Sequence, residues 1–139
     1  MQNNTILELF KTCSINKDGY YVLGYADIYI IETLQSKTNQ IVISKQTILK
    51  NINHHQDLVI EDYKNLFNIV GRFNILIKDG QYTVGIVNYA FGSYYYALKI
   101  TKTLNTIFLT SFRKTSQHDI NRLKNKLQKG KIEIIKGKL

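Results

Sequence analysis

The sequence predicts a single α+β domain in which N-terminal helices pack on a four- to five-stranded antiparallel sheet. Three observations predict it. At 139 residues the chain has the length of one domain with one continuous core. Hydrophobic residues at 44% and charged residues at 21% suit an ordinary globular protein and exclude global disorder. Apolar residues recur at helical spacing before Gly71, whereas beyond it they alternate at the period of a strand.

Taken in order, residues 1–12 (MQNNTILELFKT) read as a short helix or strand carrying Ile6, Leu7, Leu9 and Phe10. A turn at Asp18-Gly19 leads into the aromatic and β-branched run 20–34, which reads as strand. Residues 41–43 form a short strand. Ser44 then caps a helix over 45–55 with Ile48, Leu49 and Ile52 on one face. A second helix covers 60–70, with Gly71 as its C′ residue. Strands 72–78 and 81–89 flank Asp79-Gly80, a strong hairpin signal. Strands 94–102 and 105–113 meet at Thr103-Leu104. A polar helix over 116–129 follows, with Ser116 as cap and Asp119 in its first turn, and 131–138 reads as a last strand. Helices followed by an antiparallel meander exclude a doubly wound parallel sheet.

Nineteen Lys and Arg stand against ten Asp and Glu, and the net charge of +9 favours a polyanionic partner. Abundant Lys, Asn and Ile also suit an AT-rich genome, so charge alone leaves the partner open. Cys13 is single and forms no internal disulfide, and an incidental thiol is the simpler reading beside a catalytic one. Residues 1–12 lack the basic start and apolar run of a secretion signal, and no stretch approaches the length of a membrane span. The expectation is a cytoplasmic protein with no membrane role.

Three segments offer chemistry. His54 and His55 end the first capped helix, and histidine is the natural acid–base near neutral pH. The spacing leans His55 toward the sheet and points His54 outward; a hydrogen-bonded helix end is the alternative. In the strand 94–102, Tyr94, Tyr96, Leu98 and Ile100 form the core-facing set. Tyr95, Lys99 and Thr101 then share the other face, where a lysine beside a tyrosine suits a phosphate, or simply water. In 108–115 (FLTSFRKT), Ser111 and Arg113 share a face opposite Thr110 and Phe112. Arginine grips phosphate with a planar fork and a neighbouring hydroxyl can hold an oxygen beside it. A strand end with hydroxyls on backbone groups is the alternative. The carboxylates are scattered, His118 lies in the late polar helix, and no metal-ligand cluster or cofactor motif stands out.

The order of these segments carries more than any one of them. Ser44-Lys45-Gln46-Thr47, His55-Gln56-Asp57 and Glu61-Asp62-Tyr63 come first, followed by the hairpin, the strand bearing Lys99, and Leu109 to Arg113. In this order the chain resembles the barnase–EndoU–colicin–RelE (BECR) superfamily of small ribonucleases, specifically its phage-associated toxin branch. The resemblance covers residues 40–125, so that 40–139 is the expected BECR-like domain and 1–39 an N-terminal extension within the same domain. Gln56 stands where relatives carry proline, and Lys50 or His54 stands where some carry a second helix histidine.

The resemblance implies a metal-independent endoribonuclease toxin, without cofactor, that cleaves RNA through 2′-OH attack and leaves a 2′,3′-cyclic phosphate. It implies proton transfer by His55 or His54 and charge stabilisation by Lys99 and Arg113. Thr110 or Ser111 would orient the phosphate. Tyr95 would stack a base or move the second proton, and Thr101 and Lys114 would complete the substrate contacts. The implied partners are RNA, transfer RNA included, and an acidic immunity protein or antitoxin. The alternative is a non-catalytic basic RNA-binding or mobile-element accessory protein on the same fold.

Overall fold

The computed structural model describes residues 2–139, arranged as one α+β domain of five helices and a seven-stranded mixed sheet. In chain order the elements are α1 (Gln2–Phe10), β1 (Tyr21–Tyr25), α2 (Ile28–Leu34), β2 (Gln40–Ile43), α3 (Lys45–His54), α4 (Ile60–Ile69), β3 (Ile75–Asp79), β4 (Tyr82–Tyr89), β5 (Gly92–Ile100), β6 (Ile107–Lys114), α5 (Gln117–Gln128) and β7 (Glu133–Lys136). The strands lie in the order β1-β2-β6-β5-β4-β3-β7.

The expected four- to five-stranded antiparallel sheet is therefore too small and too uniform. The meander β3–β6 is antiparallel, but β2 joins β6 in parallel, with Ile41 opposite Ile107 and Val42 opposite Phe108. β1 pairs antiparallel on the outer side of β2, and β7 pairs with β3 at the other edge. The strand expected over 20–34 stops at Tyr25. The Asp27 side chain accepts a hydrogen bond from the Ile30 N–H at 3.1 Å and caps α2, whose Ile30 and Leu34 are buried one turn apart. A helical cap and stripe override the β-propensity of these residues.

Both faces of the sheet are used. One face carries the main core: Phe10, Ile30, Ile48 and Leu66 from α1–α4 meet Tyr94, Tyr96, Leu98 and Phe112. Gly85 is required here, because a side chain at this position would run into the Tyr96 ring. Gly71 ends α4 at φ +84°, where any Cβ would collide with the Tyr25 carbonyl. The opposite face holds a second cluster of Ile77, Val84, Ile86, Tyr95 and Ala97 beneath Leu123 of α5. α5 covers only this part, and the remainder of that face is the setting of the site below.

α3 is tied to β6 by a buried amide. Asn51 Nδ2 donates to the Phe112 carbonyl at 2.9 Å and to the Tyr63 hydroxyl at 3.0 Å, and its Oδ1 accepts from the Phe112 N–H at 2.9 Å. This clamp holds the helix carrying Lys50, His54 and His55 against the strand carrying Ser111 and Arg113.

Candidate active site

The pairing register decides which side chains meet. Tyr95 lies opposite Arg113 and Ile86, Ala97 opposite Ser111 and Val84, and Lys99 opposite Phe108 and Tyr82. Paired residues share a face, so Tyr95, Lys99, Ser111 and Arg113 lie together on the α5 side, as the alternation predicts. Thr110 departs from its expected face. A bulge sets Ala97 opposite Ser111 but Leu98 opposite Leu109, leaving Thr110 unpaired in the ladder. Its hydroxyl donates to the Ala97 carbonyl at 3.2 Å, and it lines the same depression as Ser111.

That depression has a volume of about 260 Å³, and Lys50, Tyr82, Tyr95, Thr110, Ser111 and Arg113 line it together with Asp79 and Ala97. Its centre is Arg113. The guanidinium carbon sits 3.9 Å from the Tyr95 ring centroid, and Nη2 donates to Asp119 Oδ1 at 3.2 Å. Asp119 is itself fixed by a capping box: its Oδ2 accepts from the Ser116 N–H and hydroxyl, each at 2.9 Å, and its N–H donates to Ser116 Oγ at 3.1 Å. Burial opposes charge on Asp119, but the Ser116 bonds and the Arg113 charge outweigh it and hold the carboxyl below its ordinary range. The helix cap thus orients the arginine. A guanidinium has five N–H donors, and this ion pair leaves others for a ligand.

Asp79 is neutralised by Lys126 of α5 at 3.0 Å. Lys50 has no ion-pair partner among the described residues. The depression is therefore cationic, with an aromatic wall and two hydroxyls.

His55 terminates α3 with φ −126°, its N–H donating to the Asn51 carbonyl at 2.9 Å. It is half-buried, as the spacing predicts, while His54 is exposed with ring centroids 6.5 Å apart. Partial burial, and then the nearby Arg113 charge, lower the His55 pKa below the ordinary histidine value, with Asp57 acting against them. Such a group is neutral at physiological pH and able to accept a proton.

Other expected contributors lie elsewhere. Lys99 shares the face but is four residues along β5 from Tyr95, roughly 13 Å at strand rise. It stands beside Tyr82 and Phe108 instead of Arg113. Thr101 is not on the strand face at all: β5 ends at Ile100, and the Thr101 hydroxyl accepts from the Thr106 N–H at 3.2 Å within the turn. Lys114 falls on the opposite face, 3.7 Å from Asp62 of α4. His118 is exposed on α5, and burial pushes the half-buried Cys13 thiol up, away from reactivity. Tyr82, Asp79 and Asp119 are contributors that sequence reasoning missed, and Lys50, noted only as standing where some relatives carry a histidine, lines the depression. Among the described residues no group of three or more His, Cys, Asp or Glu is placed to hold a metal ion, and no helix is long and apolar enough to cross a membrane.

No family model, curated protein or solved structure matches the chain.

Proposed function

We propose that the chain is a metal-independent endoribonuclease of the toxin type, cleaving RNA by attack of a 2′-OH on the adjacent phosphorus to leave a 2′,3′-cyclic phosphate. The observation that carries this reading is the Asp119-anchored guanidinium of Arg113, seated over Tyr95 beside Ser111 and Thr110, with His55 lowered in pKa by partial burial first and by the charge of the same arginine second. Neutral His55 takes the proton of the 2′-OH, and His54, the neighbouring imidazole, returns one to the leaving 5′-oxygen. Arg113 and Lys50 offset the charge that grows on the phosphoryl oxygens, and the Ser111 hydroxyl orients them, the Thr110 proton being held by the Ala97 carbonyl. Lys99 holds a phosphate further along the strand, and Tyr95 acts as the platform for the guanidinium. The electrons of the new O2′–P bond displace the P–O5′ bond, so no outside reactant is needed. An enzyme of this kind working in a bacterial cytoplasm calls for an acidic immunity protein or antitoxin complementary to the cationic depression.

A second reading has one observation in its favour. Arg113 already holds Asp119, as a purely structural arginine would. On that reading the same surface binds RNA without cutting it.

Total bacterial RNA incubated in excess EDTA with wild type and with His55→Ala, Lys99→Ala and Arg113→Ala separates the two. Ribonuclease activity predicts fragments ending in 2′,3′-cyclic phosphate from wild type, abolished in the His55 and Arg113 variants and weakened in Lys99→Ala. Intact RNA, bound tightly and salt-dependently by wild type and His55→Ala alike, would establish the binding module instead.

A further inference from the structure

A second polar depression, of about 640 Å³, lies at the other end of the sheet, between the β1 turn, the start of β2 and the β5–β6 turn. Asp18, Gln40, Asn105 and Thr106 line it around Val42. No hydrogen bond or ion pair within the described residues engages the side chains of these four polar residues. Asn16 joins them; its Oδ1 accepts from the Asp18 and Tyr20 N–H groups, which leaves its Nδ2 to face a ligand. An unpartnered carboxylate beside three carboxamides presents acceptors and donors in one place, which is the complement of a nucleobase edge.

The sheet register connects this depression to the first. Val42, Phe108, Lys99 and Tyr82 form one row across β2, β6, β5 and β4. Val42 lines the second depression and Tyr82 the first. Three strand spacings separate them, roughly 14 Å. Between them stand a lysine and a phenylalanine, the latter packed edge-on against Tyr20 at 4.8 Å. Alternating cation and ring is the pattern that tracks a single strand through phosphate contact and stacking. Lys17 adds a further cation at the far rim.

We infer that this second depression is a base-reading subsite for a single-stranded RNA whose backbone crosses Lys99 and Phe108 from the Arg113 depression. The inference rests on the proposed ribonuclease reading for its choice of RNA. It makes Asn16, Asp18 and Gln40, together with Asn105 and Thr106 of the β5–β6 turn, the determinants of sequence preference.

The test is equilibrium binding of short fluorescent 2′-O-methyl homopolymers of A, C, G and U, which cannot undergo 2′-OH attack. Wild type is compared with the double variant Asp18→Asn, Asn105→Ala, two exposed positions outside the core, and with Lys99→Ala. The inference predicts that wild type prefers one homopolymer by about tenfold or more. It predicts that the double variant levels that preference, and that Lys99→Ala weakens all four homopolymers while keeping their ranking. Equal binding of all four by wild type, or a preference unchanged in the double variant, would overturn it. Because the readout needs no cleavage, an inactive protein that nonetheless loses its base preference in the double variant would refute the ribonuclease reading and support the subsite. An active enzyme whose preference survives the double variant would do the reverse.

Discussion

The Arg113 guanidinium carbon sits over the Tyr95 ring, 3.9 Å from its centroid, while Nη2 donates to Asp119. Stacking and ion pair together fix the plane of the fork, and a lysine can reproduce neither. Arg113→Lys is therefore expected to lower the rate of RNA cleavage by about a hundredfold or more, the scale of losing an aligned charge-stabilising donor. Tyr95→Phe keeps the ring and is expected to stay within about tenfold of wild type, with Tyr95→Ala far below it. Single-turnover cleavage rates in EDTA check this series. Loss of activity in Tyr95→Phe equal to that in Tyr95→Ala would instead make the hydroxyl the reacting group.

His55 loses its proton more readily in the fold than a free histidine, through partial burial first and the Arg113 charge second. Activity that depends on neutral His55 should rise with pH through a midpoint below about 6.5, the ordinary histidine value. Arg113→Gln should move the His55 midpoint up, and Asp57→Asn should move it down. Imidazole NMR titrations read both shifts without requiring cleavage. The same lowering carries a stability consequence. The unfolded chain binds the proton more tightly than the fold, so this contribution leaves stability unaffected above about 6.5 and costs stability as pH falls below it through the folded value.

Asn51 makes three hydrogen bonds in a buried setting. Asn51→Ala leaves the Phe112 N–H and carbonyl and the Tyr63 hydroxyl without their partner, and the expected cost is about 3 kcal/mol in urea unfolding. Activity measured well below the unfolding midpoint should also fall, since α3 loses its tie to β6. An equal loss of stability in Asn53→Ala, an exposed position on the same helix, would contradict the assignment.

Asp119 couples the helix cap to the arginine. Its carboxyl is held below the ordinary range, so its stabilising contribution is complete above the unfolded value near ~3.9 and is lost as pH falls through the lower folded value. Asp119→Asn should remove this part of the acid sensitivity. Ser116→Ala should cost about 1 kcal/mol as a lost cap and also loosen Arg113. Acid titrations of unfolding free energy check this: the wild-type advantage over Asp119→Asn should shrink as pH falls below the unfolded carboxyl value, whereas the part of the Ser116→Ala loss that comes from the bond to the Asp119 N–H should persist in acid.

Much of this arrangement was legible from local pattern. Ser44 and Ser116 cap the helices they precede, Asp79-Gly80 turns the hairpin, and the alternation along β5 correctly divides Tyr94 and Tyr96 from Tyr95 and Lys99. What escaped depends on partners distant in sequence. The parallel pairing of β2 with β6 cannot be read from either strand alone, and α2 hides within residues that favour strands until Asp27 is seen as a cap. The bulge at Thr110 shifts one residue of the β6 alternation, so Thr110 joins Ser111. Lys114 obeys the alternation and therefore faces Asp62, away from Arg113. Asn51 did leave a signal: it follows Ile48 by three residues, a polar side chain on the apolar stripe of α3. Lys50 was marked only by the resemblance, because its place beside the depression depends on how α3 docks.

The central claim is that the RNA's own 2′-OH is the nucleophile, and one substitution in the substrate tests it. A cleaved oligoribonucleotide is remade with a single 2′-deoxy nucleotide on the 5′ side of the scissile phosphate and incubated with the wild-type protein in EDTA. The account predicts that cleavage at that phosphate disappears while any other cut sites persist, and that the all-ribose product ends in a 2′,3′-cyclic phosphate. Undiminished cleavage at the deoxy position, or a product bearing a 5′-phosphate, would contradict it.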